Sequence, residues 1–200
     1  MKQAVLIFAK NLIYGEVKTR LAATVGNDAA FSVYKELLLH TKEITKDILA
    51  DKIIFYSNRI EDNDIWINET YKKQIQQGND LGKRMENAFA YAFKNNYDEV
   101  VIIGTDCIEL TSSIINDAFN QLKNYDVVIG PAKDGGYYLL GMKKLYSEIF
   151  QNILWSTDSV LQQTIAICKR ESLSCHLLQV LSDIDDEKDL LKTNSAFTNK

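Results

Sequence analysis

Asp106 stands directly after a short apolar stretch and has the strongest potential for chemistry in this sequence. Residues 100–103 read Val-Val-Ile-Ile, a β-branched run that predicts a strand buried on both faces of a sheet. A carboxylate just beyond the carboxyl end of such a strand lies where open α/β sheets bind their ligands. A hard divalent cation needs only one or two carboxylates, because waters and phosphate oxygens fill its other positions. We therefore predict that Asp106 binds a divalent metal carrying the phosphates of a nucleotide-activated donor, with Thr105 beside those phosphates.

A second group of carboxylates, near the end of the chain, contains residues that could complete this metal site. Acidic residues are favoured at a helix N-terminus, which explains most of the group. One aspartate at the edge of the sheet could join Asp106 at the metal, and we favour Asp185, with Asp183 as the alternative. The group consists of Asp183, Asp185, Asp186, Glu187 and Asp189.

Basic residues are concentrated in the segment that follows the first predicted strand. Lys18 and Arg20 alternate, so that both could reach one ligand from an extended segment, and Lys10 lies just upstream. Arginine offers a planar fork to phosphate oxygens and lysine a point charge. Gly15 would permit close approach of the backbone. This composition predicts a phosphate-binding loop, and a solvent-exposed basic loop is the alternative interpretation.

The segment from Gln77 to Met85 contains a second candidate for nucleotide binding. Glycines 78 and 82 flank Asp80, and Arg84 falls in the first turn of a predicted helix. A cation in that turn is unfavourable for the helix dipole, so an anion nearby would explain it. We expect Gln77, Asp80 and Arg84 to contact the nucleotide; alternatively, Asp80 is only a helix cap.

Two further segments suit an acceptor or a sugar. Asp134 precedes Gly135 and Gly136, which open space, and Tyr137 adds an aromatic face. Asp134 is our candidate to orient or deprotonate an acceptor hydroxyl. The same residues also fit a plain hairpin turn of the Asp-Gly kind. Trp155 lies in a polar loop that could cover the site or close the edge of the core.

The elements that must position these residues alternate between strand and helix patterns along the chain. This alternation predicts one three-layer α/β/α domain over residues 1–200, with a mixed, mostly parallel sheet and a frayed end of about six residues. The strands on either side of Asp134 are too close for a crossover helix, so at least one strand should be antiparallel. Predicted strands cover residues 3–9, 52–56, 73–75, 100–103, 126–129, 137–141 and 174–180.

Composition and missing motifs exclude several classes of protein. The net charge of −4 argues against nucleic acid as a partner, and no apolar run is long enough for a membrane span. Three cysteines without CxxC spacing predict reduced thiols in a cytoplasmic protein. The sequence lacks a Rossmann fingerprint, a P-loop and a G-x-S-x-G elbow. His40 and His176 lie within helix and strand patterns, and we interpret both as structural.

Seven segments in this order resemble the DUF2064 group of bacterial proteins, which are labelled glycosyltransferases of the GT-A type. The resemblance covers nearly the whole chain. It rests on Phe8-Ala9-Lys10, GEVKTRL at 15–21, QGNDLGKRM at 77–85, IGTDC at 103–107, GPAKDGGYYLLG at 130–141, Trp155-Ser156-Thr157 and DIDDEKDL at 183–190.

This resemblance implies a nucleotide-diphospho-sugar transferase fold, which molybdenum-cofactor and phospholactate guanylyltransferases share. By position, Asp106 would bind Mg²⁺ or Mn²⁺ with Asp185 as second ligand, Lys18 and Arg20 would meet phosphates, and Asp134 with the glycines would face the acceptor or sugar. The predicted function is transfer of a sugar from a nucleotide diphosphate to a small-molecule acceptor.

Two other functions remain open from the sequence. A nucleotidyltransferase would use a nucleoside triphosphate and a phosphorylated acceptor, but a dense glycine-rich basic signature directly after strand one is missing, since Gly15 is single and late. A non-catalytic nucleotide-binding module would bind without turnover, and the presence of both Asp106 and Asp185 argues against it.

Overall fold

The computed structural model describes residues 1–197 and contains one mixed sheet of seven strands. The order across the sheet is β3-β2-β1-β4-β6-β5-β7. Within the described residues, β6 alone runs antiparallel to its neighbours β4 and β5, and the other pairs are parallel. The strands are β1 (Gln3–Ala9), β2 (Asp51–Tyr56), β3 (Tyr71–Ile75), β4 (Glu99–Ile103), β5 (Val127–Pro131), β6 (Tyr137–Met142) and β7 (Cys175–Leu177).

Helices cover both faces of the sheet, which confirms the predicted mostly parallel α/β/α fold with an antiparallel strand beside Asp134. They are α1 (Thr19–Val25), α2 (Asn27–Thr45), α3 (Leu81–Lys94), α4 (Ser112–Leu122), α5 (Val160–Arg170) and α6 (Glu187–Phe197), with a 3₁₀ turn at Ser147–Phe150. No helix within residues 1–197 is long and apolar enough to cross a bilayer. We expected about six frayed residues at the end; α6 includes the first three, and residues 198–200 lie outside the described part.

The period of two in the central strands explains the three layers. In β4, Val101 and Ile103 face one apolar core together with buried side chains of α2 and α4. Val100 and Ile102 face the other core, built with α3 and α5. Because both faces are covered, every residue of β4 is buried.

Strands β1 and β4 bring the two main sequence motifs together. They are adjacent and parallel, with Ile7 opposite Ile103. Their carboxyl ends therefore lie at the same edge of the sheet, where the chain continues into Lys10 on one side and Asp106 on the other. This placement agrees with the position of ligand sites in open α/β sheets.

Local differences from the predicted elements have simple causes. Helix α1 was not predicted, because it has seven residues and buries only Leu21, which is too little for a periodic signal. Helix α2 begins after Gly26 without a side-chain cap, and the Asp28 carboxylate in its first turn accepts a hydrogen bond of 2.8 Å from the Tyr14 hydroxyl. The predicted Asp-Gly turn is present between β5 and β6, where the Gly136 N–H donates to Asp134 Oδ1 at 2.9 Å.

Candidate active site

A cleft of about 770 Å³ opens at the carboxyl ends of β1 and β4. Its walls come from the start of α1, the end of β4, strand β6, the loop before α5 and the segment before α6. Most of the predicted site residues line it, although they come from segments far apart in the sequence. These are Lys10, Lys18, Arg20, Arg84, Thr105, Asp106, Asp134, Gly136, Tyr137, Trp155 and Asp185.

Lys18 joins the two carboxylates that the sequence proposed as metal ligands. Its Nζ lies 2.6 Å from Asp106 Oδ1 and 3.4 Å from Asp185 Oδ1, and it donates to the Ile184 carbonyl at 2.7 Å. The Lys18 side chain is 6% exposed, whereas both aspartates are 42% exposed. A buried ammonium therefore lies between two carboxylates that face the cleft.

The backbone around Lys18 differs from the extended segment that we predicted. Lys18 has the left-handed values φ 48° and ψ 44° and stands at the N-terminus of α1, while Arg20 belongs to the helix. A lysine adopts this conformation rarely, because its Cβ crowds the backbone. The two cations consequently diverge: the Arg20 side chain is 77% exposed, and its guanidinium lies 4.0 Å from Asp185 Oδ2.

The segment before α6 is attached to the edge of the sheet and carries Asp183 and Asp185 to the cleft. The Ile184 N–H donates to the carbonyl of Asp106 at 2.9 Å, and the Leu181 N–H donates to that of Pro131 at 3.0 Å. A bridge between Ala132 and Leu181 extends the parallel pairing of β5 and β7. Backbone pairing, which leaves no signal in side-chain spacing, therefore brings together Asp106 and Asp185, which are 79 residues apart in the sequence.

Asp183 is the most perturbed carboxyl group of the cleft. Burial, followed by the negative charges of Asp106, Asp134 and Asp185, raises the pKa of Asp183 to about 7. Its Oδ1 atom is buried and has no hydrogen-bond partner. An unpartnered carboxylate oxygen among like charges indicates a site that can accept a cation.

The donor set fits a divalent cation, although the carboxylates are not already arranged as a ligand cage. Within residues 1–197 no group of three or more histidine, cysteine, aspartate or glutamate side chains is placed to hold a metal. Mg²⁺ is commonly bound through only one or two carboxylates plus phosphates and waters. Asp106 and Asp185 already share one cation, the Lys18 ammonium, so these two carboxylates can meet a single positive charge.

Tyr34 is a residue of the cleft that the sequence analysis missed. Its hydroxyl accepts from the Lys10 N–H at 2.8 Å, donates to the Lys10 carbonyl at 3.1 Å and lies 3.3 Å from Thr105 Oγ1. Burial, followed by the charge of Asp106, raises the pKa of Tyr34, which therefore stays protonated. Its position within the α2 period indicated only a core residue; no spacing signal could have revealed the hydroxyl contacts.

Two glycines permit close packing next to the cleft, because aromatic or backbone atoms lie where their Cβ would be. A Cβ on Gly82 would approach the indole ring of Trp155 to 2.2 Å. A Cβ on Gly135 would approach the carbonyl oxygen of Asp158 to 1.9 Å. Trp155 therefore lies directly on the first turn of α3, and the loop before α5 is seated on the turn between β5 and β6.

Four predicted binding residues are not brought to the cleft, as far as residues 1–197 show. Gly15 lies in an exposed turn with φ 80°, and Gly135 packs under the loop at Asp158. Asp80 caps α3 by accepting from the Lys83 N–H at 2.8 Å. The carbonyl of Gln77 accepts from the Asn87 side chain at 2.8 Å. In their place, Gln76 and Ser57 line the cleft.

Neither histidine lines the cleft, and the three cysteines are unpaired. His40 Nε2 lies 2.9 Å from the Leu110 carbonyl, and the His176 ring packs 4.9 Å from that of Tyr125. Cys107 follows Asp106, and burial, followed by the charge of Asp183, raises its pKa to about 12. A thiol with that pKa is not a nucleophile at neutral pH.

Comparisons with known proteins agree with this fold. The chain is 33% identical to a protein of Desulfovibrio desulfuricans G20, provisionally named a nucleotide-diphospho-sugar transferase, whose crystal structure superimposes with a TM-score of 0.89 over 100% of this chain and 92% of the other. The structure of 4-diphosphocytidyl-2C-methyl-D-erythritol synthase of Anaerococcus prevotii DSM 20548 has a TM-score of 0.64 at 12% identity, over 99% and 96% of the chains. At that identity the likeness concerns the fold alone.

The alignment with a curated relative covers only part of each protein. A 2-phospho-L-lactate guanylyltransferase of Methanocaldococcus jannaschii is 33% identical over 129 residues, which are 64% of this chain and 54% of the relative. The chain thus spans about half the length of the curated relatives it matches. The profile of DUF2064, described as an uncharacterized protein conserved in bacteria, matches residues 40–157. The chain belongs to the DUF2064 family and has the fold of the nucleotide-diphospho-sugar transferases.

Proposed function

We propose that this protein is a metal-dependent transferase that moves a sugar from a nucleotide diphosphate to a small-molecule acceptor. The observation that carries the proposal is the cluster of Asp106, Lys18 and Asp185 at the carboxyl end of the central strand, open to a large cleft. The names of the D. desulfuricans protein and of the guanylyltransferases support a nucleotide substrate for this chain.

Asp106 and Asp185 would hold Mg²⁺ or Mn²⁺. The nearby charge of Asp183 would add to the attraction of the site for a cation. The metal would neutralise the charge that develops on the departing diphosphate. Arg20 and Lys18 border the same carboxylates and would meet the phosphate oxygens. Lys10, Arg84 and Thr105 line the cleft beside them and would bind the rest of the nucleotide.

Acceptor binding belongs to the wall formed by the β5–β6 turn and the loop before α5. Asp134 is exposed there and would orient an acceptor hydroxyl or take its proton. Gly136 lies beside it, and Tyr137 and Trp155 offer apolar faces to a sugar or acceptor. The hydroxyl of Tyr137 is itself buried, so only its ring is available.

The charge of the cleft favours a sugar diphosphate over a nucleoside triphosphate. Seven carboxylates and four cations line it: Asp106, Asp134, Asp158, Asp183, Asp185, Asp186 and Asp189, against Lys10, Lys18, Arg20 and Arg84. A triphosphate brings more negative charge than a diphosphate linked to a sugar, and a phosphorylated acceptor would add still more. Like charges at close range cost free energy, so the less charged substrate fits better.

The nucleotidyltransferase is the second candidate, and the named guanylyltransferase relatives favour it. The two activities release different products from the same site. We would incubate the protein and Mn²⁺ with nucleotide sugars plus a panel of small hydroxyl compounds and, separately, with nucleoside triphosphates plus a panel of small phosphorylated compounds. Release of nucleoside diphosphate from nucleotide sugars is the expected result; pyrophosphate from triphosphates would contradict it. Asp106→Asn should abolish the release, and Asp117→Asn on the exposed face of α4 is the matched control.

A further inference from the structure

The ammonium of Lys18 is bound to both carboxylates that would hold the metal. It contacts Asp106 at 2.6 Å and Asp185 at 3.4 Å, and it is nearly buried. A third contact, of 2.7 Å, joins it to the carbonyl of Ile184. Lys18 therefore forms the centre of the acidic cluster, where the sequence had suggested a residue directed only at phosphates.

An ammonium in this position competes with a divalent cation for the Oδ1 atoms of Asp106 and Asp185. Mg²⁺ binds a carboxylate oxygen at about 2.1 Å. A metal ion bound to Asp106 and Asp185 would thus lie within a few ångströms of the Lys18 ammonium, and two cations at that distance repel each other strongly. We therefore expect one of the two cations to give up its contacts with these Oδ1 atoms.

We propose that Lys18 is an internal counter-ion that holds Asp106 and Asp185 together in the metal-free protein and is displaced from them when the metal binds. This role rests on the proposed function for the metal and the phosphates, and it assigns Lys18 a step that a simple phosphate ligand would not have. The Ile184 carbonyl keeps one hydrogen bond to the displaced ammonium, and the side chain borders the cleft. Once displaced from the carboxylates, the Lys18 ammonium is free to bind the diphosphate of the donor.

Lysine suits this exchange better than arginine. Its ammonium is a compact point charge on a flexible stem, whereas a guanidinium would bind a carboxylate through two fixed bonds. The backbone of Lys18 has a left-handed conformation, and from it the side chain extends to the carbonyl of Ile184. Arg20, in the first turn of α1, has a side chain that is 77% exposed and comes no nearer than 4.0 Å to Asp185. It therefore cannot replace Lys18 between the two carboxylates.

The test measures Mn²⁺ binding directly, by electron paramagnetic resonance of the free ion, without nucleotide. We would compare the wild type with Lys18→Met, which keeps the length of the stem without its charge, and with Arg20→Met as the matched control. Removing a competing ammonium should tighten Mn²⁺ binding about tenfold in Lys18→Met. Removing the nearby but non-bridging Arg20 should tighten it by less than about threefold, because its charge is screened by solvent.

A second measurement separates this role from a purely structural one. Without its counter-ion, the cluster of carboxylates repels itself, so Lys18→Met should melt at a lower temperature than the wild type in EDTA. Mn²⁺ should then raise its melting temperature by more than that of the wild type, because the metal replaces the missing charge. If Lys18→Met does not fold in EDTA, Lys18→Gln, which can still donate to the Ile184 carbonyl, serves both measurements.

Equal or weaker Mn²⁺ binding in both Lys18 variants would overturn the proposal. Equal tightening in Arg20→Met would also overturn it, because the effect would then be one of general charge. The proposed function stands on a different readout, the product released by the wild type. Sugar transfer combined with unchanged Mn²⁺ affinity in the Lys18 variants would reject the counter-ion role and leave the transferase intact.

Discussion

At the scale of single residues, Asp183 shows that the acidic cleft contains a carboxyl group whose charged form is unfavourable. Its Oδ1 is buried without a partner, and three other aspartates contribute to its raised pKa of about 7. A buried group of this kind costs stability in its charged form, and such groups concentrate at functional sites. The instability is removed either by a proton or by a bound cation.

We predict that Asp183→Asn stabilises the metal-free protein at pH 8. The folded-state pKa of Asp183 lies above its ordinary value of 3.8, so the folded protein holds a proton between about pH 4 and pH 7 that the unfolded chain has lost. Stability due to this group is therefore lost as the pH rises through that window. At pH 8 in EDTA the variant should gain roughly 2 kcal/mol after allowance for solvent screening.

The measurement is urea unfolding at pH 5 and pH 8, with Asp117→Asn as an exposed control. The gain in Asp183→Asn should be smaller at pH 5, where the wild-type carboxyl is mostly protonated. A variant that is less stable than the wild type at both pH values would show that the carboxylate makes a favourable contact instead.

At the scale of secondary-structure elements, the cleft depends on how neighbouring strand ends are tied together. The Tyr34 hydroxyl, carried by α2, contacts both backbone groups of Lys10 and the side chain of Thr105. It thereby connects the end of β1, which leads to the basic segment, with the end of β4, which leads to Asp106. One hydroxyl thus links the β1 side of the cleft to the β4 side.

Tyr34→Phe should weaken donor binding by severalfold while costing only about 1 kcal/mol of stability. Tyr71→Phe is the matched control, because Tyr71 is also buried against α2 and its hydroxyl bonds to Thr45 at 3.0 Å, away from the cleft. Stability would be measured by urea unfolding and affinity by titration with UDP and GDP in Mn²⁺. Equal affinities in the two variants would reduce Tyr34 to a core residue.

The close approach of Gly82 to Trp155 predicts that Gly82→Ala changes stability in opposite directions with and without the indole ring. In the wild type, Gly82→Ala should destabilise the protein and displace the loop before α5, because its Cβ would lie 2.2 Å from the indole. In Trp155→Ala the same change should stabilise by about 0.5–1 kcal/mol, since alanine favours a helix over glycine. Unfolding of the four proteins of this cycle measures the coupling. Destabilisation of equal size in both backgrounds would place the cause elsewhere than at Trp155.

At the scale of the whole molecule, the parts predicted from the sequence are those that follow from local chemistry. The β-branched run before Asp106 fixes a buried central strand, and the short spacing around Asp134 fixes an antiparallel pair. The carboxyl-edge rule then predicts a cleft beside Asp106, and Asp106 lines the cleft that opens there. The inward position of Lys18 and the hydroxyl contacts of Tyr34 depend on backbone dihedral angles and long-range pairing, and these leave no periodic trace in the chain.

The excess of carboxylates over cations in the cleft predicts that a nucleotide sugar and a nucleoside triphosphate differ in affinity. A nucleotide sugar should bind more tightly than the triphosphate of the same base, and the difference should shrink as salt rises to about 0.5 M, where screening acts within a few ångströms. Asp158→Asn removes one carboxylate from the wall and leaves Asp106 and Asp185 unchanged, so it should narrow the difference in affinity at low salt; Asp117→Asn should not. Calorimetric titration with UDP-glucose and UTP, each in Mn²⁺, measures the ratio. Tighter binding of the triphosphate at low salt, together with release of pyrophosphate, would instead identify the nucleotidyltransferase, because the cations of the cleft would then outweigh its carboxylates.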